Sequence, residues 1–242
     1  MREKLTGRGP TFRRASQSNS YILILLVVLI MIALFALRGV ATREIVSPFE
    51  PTPAPTRTSD SYAQEGETLF EAGNLNGAIE AYKKALELNP SNVEFYSELA
   101  RIQVYSSAVL TTDTERKVRL QEALDVINQG VALGPENSTV HAIRAFVLDW
   151  NANPVLAGDQ SEALLLEAEQ EATTALQLDN QNTLALAFFA EILNDQSKWL
   201  TAEEYIQQAV QLDPGLMDVH RIYAVIRETL QDYEGAIEEY KL

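Results

Sequence analysis

Two histidines and 34 carboxylates are the first residues to ask for chemistry in this chain, since cysteine is absent from its 242 residues. Without thiols, a disulfide framework, a thiolate zinc site, an iron–sulfur cluster and a thiol nucleophile are all excluded. His141 and His220 stand far apart in the sequence, which leaves little for a histidine-based metal site. The carboxylates fall mostly at solvated helix positions, and no pair stands out as a general acid and base. There is no Gly-rich phosphate loop, no nucleophile elbow and no HExxH motif. The sequence therefore predicts no catalytic, cofactor-binding or metal-binding residue, and a protein that is not an enzyme. A formal net charge of −15 also argues against nucleic acid, whose phosphates need Lys and Arg.

What remains is binding, and the elements that would position a binding surface are of two kinds. Residues 1–58 hold eight basic and three acidic residues, whereas the rest holds 11 basic and 31 acidic ones. Within the basic part, Tyr21–Leu37 reads YILILLVVLIMIALFAL without a charge. As a helix it spans roughly 25 Å, near the lower limit for crossing a bilayer, and Arg38 can snorkel to the headgroups. Residues 21–41 are therefore expected to be a transmembrane helix that anchors the chain to a membrane. Gly39-Val40-Ala41 offers a signal-peptide cleavage site as the alternative, but the apolar run is longer than usual for one. Arg2, Lys4, Arg8, Arg13 and Arg14 precede the helix, against Arg38, Arg43 and Arg57 after it. That bias places residues 1–20 in the cytoplasm and the remainder on the far side, as in a single-pass protein of a bacterial plasma membrane. Residues 42–58 form a linker in which Pro48, Pro51, Pro53 and Pro55 favour an extended polyproline spacer.

From residue 59 the sequence repeats itself. Ala78–Pro90 reads AIEAYKKALELNP, Ala202–Pro214 reads AEEYIQQAVQLDP, Ala123–Pro135 has the same form, and Ala236–Tyr240 begins it again. Each of the three full blocks is an amphipathic helix closed by proline, and each block follows a second helix with its own small residue. Repeat 1 carries Tyr62, Gly66, Leu69, Ala78, Tyr82, Ala85 and Pro90; repeat 4 carries Leu186, Phe189, Ala190, Ala202, Ile206, Ala209 and Pro214. This pattern resembles the tetratricopeptide repeat, a helix–turn–helix unit of about 34 residues. The resemblance implies an all-α fold, an α-solenoid of helix–turn–helix repeats at about 59–92, 93–137, 138–182, 183–216 and 217–242, the last incomplete. Glu65, Asn180 and Arg227 depart from the family pattern. The interrupted fifth repeat leads to the expectation of a longer protein, or of a partner covering that end.

Repeats 2 and 3 are each longer than the family unit by about 11 residues. Thr112-x-x-Glu115 and Asp159-x-x-Glu162 resemble capping boxes. They predict second helices over 113–133 and 160–178, with loops around 106–111 and 152–158 projecting from one edge. Those loops are either partner-binding or neutral insertions.

The resemblance implies that proteins or peptides bind along a concave face lined by the first helix of each pair. Counting Tyr62 as position 4 of its repeat, positions 9 and 13 are Glu67 and Glu71, Arg101 and Tyr105, Phe146 and Trp150, Glu191 and Asp195, then Val225 and Thr229. Such a groove is aromatic at its centre and acidic at its flanks, which suits an apolar anchor flanked by basic residues. Phe146 and Trp150 could equally pack beneath the long loop of repeat 3. Ala63 and Glu67 stand where some family members place a basic clamp for acidic peptides, which disfavours that activity. His141 and His220 occupy position 4, a packing slot, and Trp199 aligns with Leu75 and Tyr233 at an intra-repeat packing position. The function expected is a membrane-anchored scaffold for protein–protein interaction in a cell-envelope assembly. The alternatives are the substrate-presenting part of a longer enzyme, or a cytosol-facing receptor of the import type.

Overall fold

The computed structural model describes residues 19–41 and 57–242. The basic N-terminal segment and most of the Pro-rich linker fall outside the described residues. Among the described residues all regular structure is helical.

Helix α1 (Ser20–Ala41) stands as a unit by itself. Every large apolar side chain from Tyr21 to Leu37 is exposed. A helix with no polar stripe has nothing to offer water on any side. Ser20–Gly39 is long and apolar enough to cross a membrane, a property shared with a signal sequence.

Residues 57–242 form five antiparallel helix pairs: α2 (Ser59–Glu71) with α3 (Leu75–Leu88), α4 (Val93–Ala108) with α5 (Asp113–Leu133), α6 (Ser138–Asn151) with α8 (Ser161–Leu178), α9 (Thr183–Asp195) with α10 (Trp199–Leu212), and α11 (Met217–Thr229) with α12 (Tyr233–Glu239). A four-residue helix α7 (Pro154–Ala157) and a 3-10 turn, Gly158–Gln160, interrupt the third pair. Each second helix also packs on the next first helix, and α4, α6, α9 and α11 pack in series. No pair could bury its apolar stripe alone, so the stacking supplies the core. Ile127, Ile143, Phe188, Ile206 and Ile222 lie at its centre, all fully buried.

Small residues set how closely the helices approach. A Cβ built on Gly66 would meet the Tyr82 ring at 2.6 Å, and one on Gly130 would meet Tyr96 Cβ at 3.0 Å. Ala78, Ala85, Ala123, Ala202 and Ala209 are buried without remainder at related contacts. The turns between repeats are capped alike: the side chains of Asn92, Asn137 and Asn182 accept backbone N–H bonds from the first turns of α4, α6 and α9.

Position 4 of the first helix fastens repeats 2, 3 and 5 to the turn before them, whereas repeat 4 carries Leu186 there. The Tyr96 hydroxyl donates to the Pro90 carbonyl at 2.9 Å. His141 and His220 replace the tyrosine and use Nε2 for the same bond, to Pro135 at 2.9 Å and Pro214 at 2.8 Å. Their Nδ1 atoms lie 2.7 Å from Glu171 and Glu239 on the paired helices.

The extended repeats match the sequence in part. Helix α5 begins at the expected residue, and Thr112 and Glu115 form a reciprocal capping box. The second box does not form. Helix α8 begins at Ser161 behind Gln160, which makes no side-chain cap, while Asp159 sits in the 3-10 turn. Ser161 instead donates its hydroxyl to the Ala152 carbonyl, which ties the start of α8 to the end of α6. The stretch expected as a projecting loop is therefore partly folded, and Leu156 of α7 packs against the core. Lys117 of α5 donates to the Leu156 carbonyl at 3.4 Å, so the two insertions touch. Trp199, expected in the core, is 45% exposed at the first turn of α10. That turn lies at the outer edge of the pair, where neighbouring Leu200 is also exposed.

Candidate protein-binding groove

The first helices α2, α4, α6, α9 and α11 bring most of the expected groove residues together, but as a filled interior rather than an open trough. Tyr105 is the hub. Its ring lies 5.8 Å from Phe70, 5.6 Å from Phe146 and 6.4 Å from Trp150, centroid to centroid. Phe146 in turn stacks on Phe188 at 4.2 Å. Phe146 is 0% exposed, so the side chain expected to line the groove is part of the core. The reason is its neighbour: α9 supplies Phe188, which covers the ring face that an open groove would leave bare.

Two arginines cross this aromatic floor. Arg101 on α4 donates to Asp218 Oδ2 on α11 at 2.6 Å and to Glu98 at 2.8 Å, with its guanidinium 4.9 Å above the Phe70 ring. Arg221 on α11 grips Glu191 of α9 in a bidentate pair, both bonds 2.7 Å. The Tyr105 hydroxyl donates to Asp218 and accepts from Arg221 Nε at 3.1 Å. Asp218, 0% exposed in the first turn of α11, thus receives both Arg101 and Tyr105. The chain of contacts joins the second repeat to the fifth, 117 residues along the sequence.

The electrostatics follow from this burial. Desolvation works against the charge of Arg101, but Asp218 and Glu98 outweigh it and hold the guanidinium charged. Arg221 is likewise opposed by burial and held by Glu191 and Tyr105. Burial, and then the charge of Asp218, push the Tyr105 phenol well up. On α6, Asp149 is raised well above the usual carboxylate range by burial and by the charges of Glu191 and Asp195, which Arg221 only partly offsets. Asp195 is pushed up to about 6, chiefly by desolvation and then by Glu191.

The remaining expected positions lie apart from the hub. Glu67 and Glu71 are exposed on α2, and Glu67 lines a separate hollow with Ala63, Tyr82 and Glu98. Trp150 is half-buried, and Val225 and Thr229 line the rim beside it. Sequence reasoning missed Asp149, Asp218 and Arg221. A charge inside the apolar run Phe146-Val-Leu-Asp-Trp150 was the available signal for Asp149. An acidic residue in a first helical turn reads as a dipole partner, which masked Asp218.

Residues 66–105, which span parts of α2 and α4 and all of α3, match the family model of the TPR repeat. The helical array is similar to the crystal structure of TTC0263, a thermophilic TPR protein of Thermus thermophilus. The TM-score is 0.62 at 16% identity, over 76% of this chain and 89% of that one. Residues 57–242 fold as a tetratricopeptide-repeat solenoid. Two other structures are similar at lower scores. Pseudomonas aeruginosa pilF gives a TM-score of 0.47 at 20% identity, covering 76% of this chain and 73% of its own. YrrB, a TPR protein with an unusual peptide-binding site, gives 0.40 at 21%, covering 75% and 82%. No curated protein matches the chain in sequence. Within the tetratricopeptide-repeat fold, the network from Glu98 to Glu191 lies between the first helices α4, α9 and α11.

Proposed function

We propose that this chain is a membrane-anchored tetratricopeptide-repeat scaffold that holds partner proteins at a cell-envelope assembly. The observation that carries the reading is the pairing of a repeat solenoid with α1, an apolar helix whose large side chains are all exposed. Residues 21–41 act as the anchor, residues 42–58 as a spacer, and residues 59–242 as the scaffold. The excess of Lys and Arg before the anchor supports a cytoplasmic N-terminus and a solenoid outside the cytoplasm of a bacterial plasma membrane. Partner recognition falls to the groove candidates Glu67, Glu71, Arg101, Tyr105, Phe146, Trp150, Glu191 and Asp195. Of these, Arg101, Tyr105, Phe146 and Glu191 shape the floor from within, and Trp150, Asp195 and the exposed Glu67 and Glu71 meet the partner.

The test is protease accessibility in intact cells, with the outer membrane permeabilised where one exists. The solenoid should be digested while a cytoplasmic control survives. A solenoid that survives while an external control is digested would sink this orientation and favour a cytosol-facing, receptor-like protein.

A further inference from the structure

Beside the filled groove lies a cavity of about 700 Å³ whose walls come from the end of α6, the start of α7 and α8, and parts of α9 and α11. Its charged lining is Asp149, Glu191, Asp195 and Arg221, with Asn153, Ser161, Asn194 and Thr229 as neutral polar neighbours. Three carboxylates therefore face one guanidinium, and that guanidinium is already committed to Glu191 by two bonds. Asp149 is 4% exposed, yet its Oδ1 has no hydrogen-bond partner. The Oδ1 of Asn194, also buried, has none either. A buried carboxylate oxygen without a donor is strongly unfavourable, so an orphan at this depth calls for an explanation.

The group that would satisfy these atoms is a donor, and a cation also answers the excess of carboxylates over the one guanidinium. Both orphaned atoms are acceptors, and the net charge of the wall is negative. Burial and the neighbouring charges of Glu191 and Asp195 push the Asp149 carboxyl upward, as expected where a counter-ion is lacking. Among the described residues no group of His, Asp and Glu is placed to hold a metal ion, so the chemistry points to an organic cation. Trp150, Pro154, Leu165 and Val225 add apolar surface to the same cavity. A charged head at the end of a methylene stem fits both kinds of lining.

We propose that this cavity takes the basic side chain, lysine or arginine, of a partner polypeptide, with Asp149 as its counter-ion. The proposal rests on the scaffold reading above and gives that scaffold one defined contact. The stem lies along Trp150 and Leu165. The ammonium or guanidinium group reaches Asp149 and Asn194, and Asp195 stands at the mouth.

The test uses the full chain in detergent micelles, titrated calorimetrically with blocked tripeptides. Acetyl-Ala-Lys-Ala-amide and its arginine counterpart are compared with the norleucine tripeptide, which keeps the stem and lacks the charge; spermidine serves as a free polyamine. The basic tripeptides should bind saturably and at least about tenfold more tightly than norleucine, and Asp149→Asn should weaken them about tenfold or more. Should Asp149→Asn fail to fold, Asp195→Asn at the exposed rim should still weaken binding about twofold to fivefold. Equal binding of norleucine, unchanged affinity in both variants, or no saturation by either basic tripeptide overturns the proposal. So does binding of spermidine alone. Cross-linking on the intact membrane separates this failure from that of the scaffold: a partner captured equally by wild type and Asp149→Asn leaves the scaffold standing without this pocket. Loss of every captured partner while the basic tripeptides still bind does the reverse.

Discussion

Replacing Asp218 by alanine should loosen the whole solenoid, although the residue belongs to the last repeat. Its carboxylate is fully buried and receives Arg101 at 2.6 Å and the Tyr105 hydroxyl. Removing one partner of a buried ion pair costs about 3–5 kcal/mol. Arg101 keeps Glu98 at 2.8 Å, which holds the cost near the lower end, about 3 kcal/mol. The Tyr105 hydroxyl loses its acceptor, which adds about 1 kcal/mol, and the first turn of α11 loses a favourable dipole partner, worth a few tenths more. The sum is about 4 kcal/mol, a fall in melting temperature of roughly 8–16 °C for a domain of this size.

A second consequence distinguishes the clasp from an ordinary buried pair. Repeat proteins are coupled through nearest neighbours, so ends far apart in sequence unfold semi-independently. The link from α4 to α11 adds a long-range term and makes the second and fifth repeats unfold together. Urea unfolding of the full chain in detergent, followed by tryptophan fluorescence and far-ultraviolet circular dichroism, should give coincident transitions for wild type and separated ones for Asp218→Ala. A double-mutant cycle with Arg101→Met should return a coupling of at least about 1 kcal/mol. A loss below about 1 kcal/mol for Asp218→Ala, with transitions still coincident, would refute the reasoning.

Three more outcomes are expected. Gly66→Ala should cost about 1–3 kcal/mol, because its Cβ would press into the buried Tyr82 ring at 2.6 Å; a urea midpoint within error of wild type would show that the ring yields freely. Phe146→Ala should cost about 3–5 kcal/mol by the same measurement, since the fully buried ring stacks on Phe188. The reading of Phe146 as a simple groove-lining contact predicts no such loss. The third outcome concerns His220, which is drawn down by burial but raised further by the Pro214 carbonyl and Glu239, and so stands above its ordinary value. A raised folded value means that its stabilisation is full below about pH 6.5 and is lost as pH rises through the folded value. Urea midpoints measured from below about pH 6 to above about pH 8 should fall for wild type relative to His220→Gln, and parallel profiles would disprove the linkage.

Local pattern was enough for much of this molecule. The apolar run Tyr21–Leu37 identified α1, because a helix without a polar position is legible from composition alone. The small residues Gly66, Ala78 and Ala85, with Pro90, Pro135 and Pro214 after three of the second helices, identified the repeats, because close helix packing needs those types at those spacings. The box Thr112–Glu115 set the start of α5, since a cap involves only residues three apart. Asp159–Glu162 had the same spelling and failed, because tertiary contacts of α7 and the bond from Ser161 to Ala152 claimed that stretch first.

What lay beyond the sequence was everything that depends on the curvature of the array. The register of the first helices could be counted from Tyr62 onward, and it brought Arg101, Tyr105, Phe146, Trp150 and Glu191 to one side. It could not show that α11 comes round far enough for Asp218 to reach Arg101 and Tyr105, or that Phe188 would close over Phe146. The first of these depends on small rotations summed from the second repeat to the fifth, and the second on the packing of two successive repeats, and no local period records either. The sequence by itself determined an apolar helix, a repeat and a set of inward-facing positions. The tertiary structure alone decided that the central ones, Arg101, Tyr105, Phe146 and Glu191, fill the groove, and that an unpaired Asp149 is left at its edge.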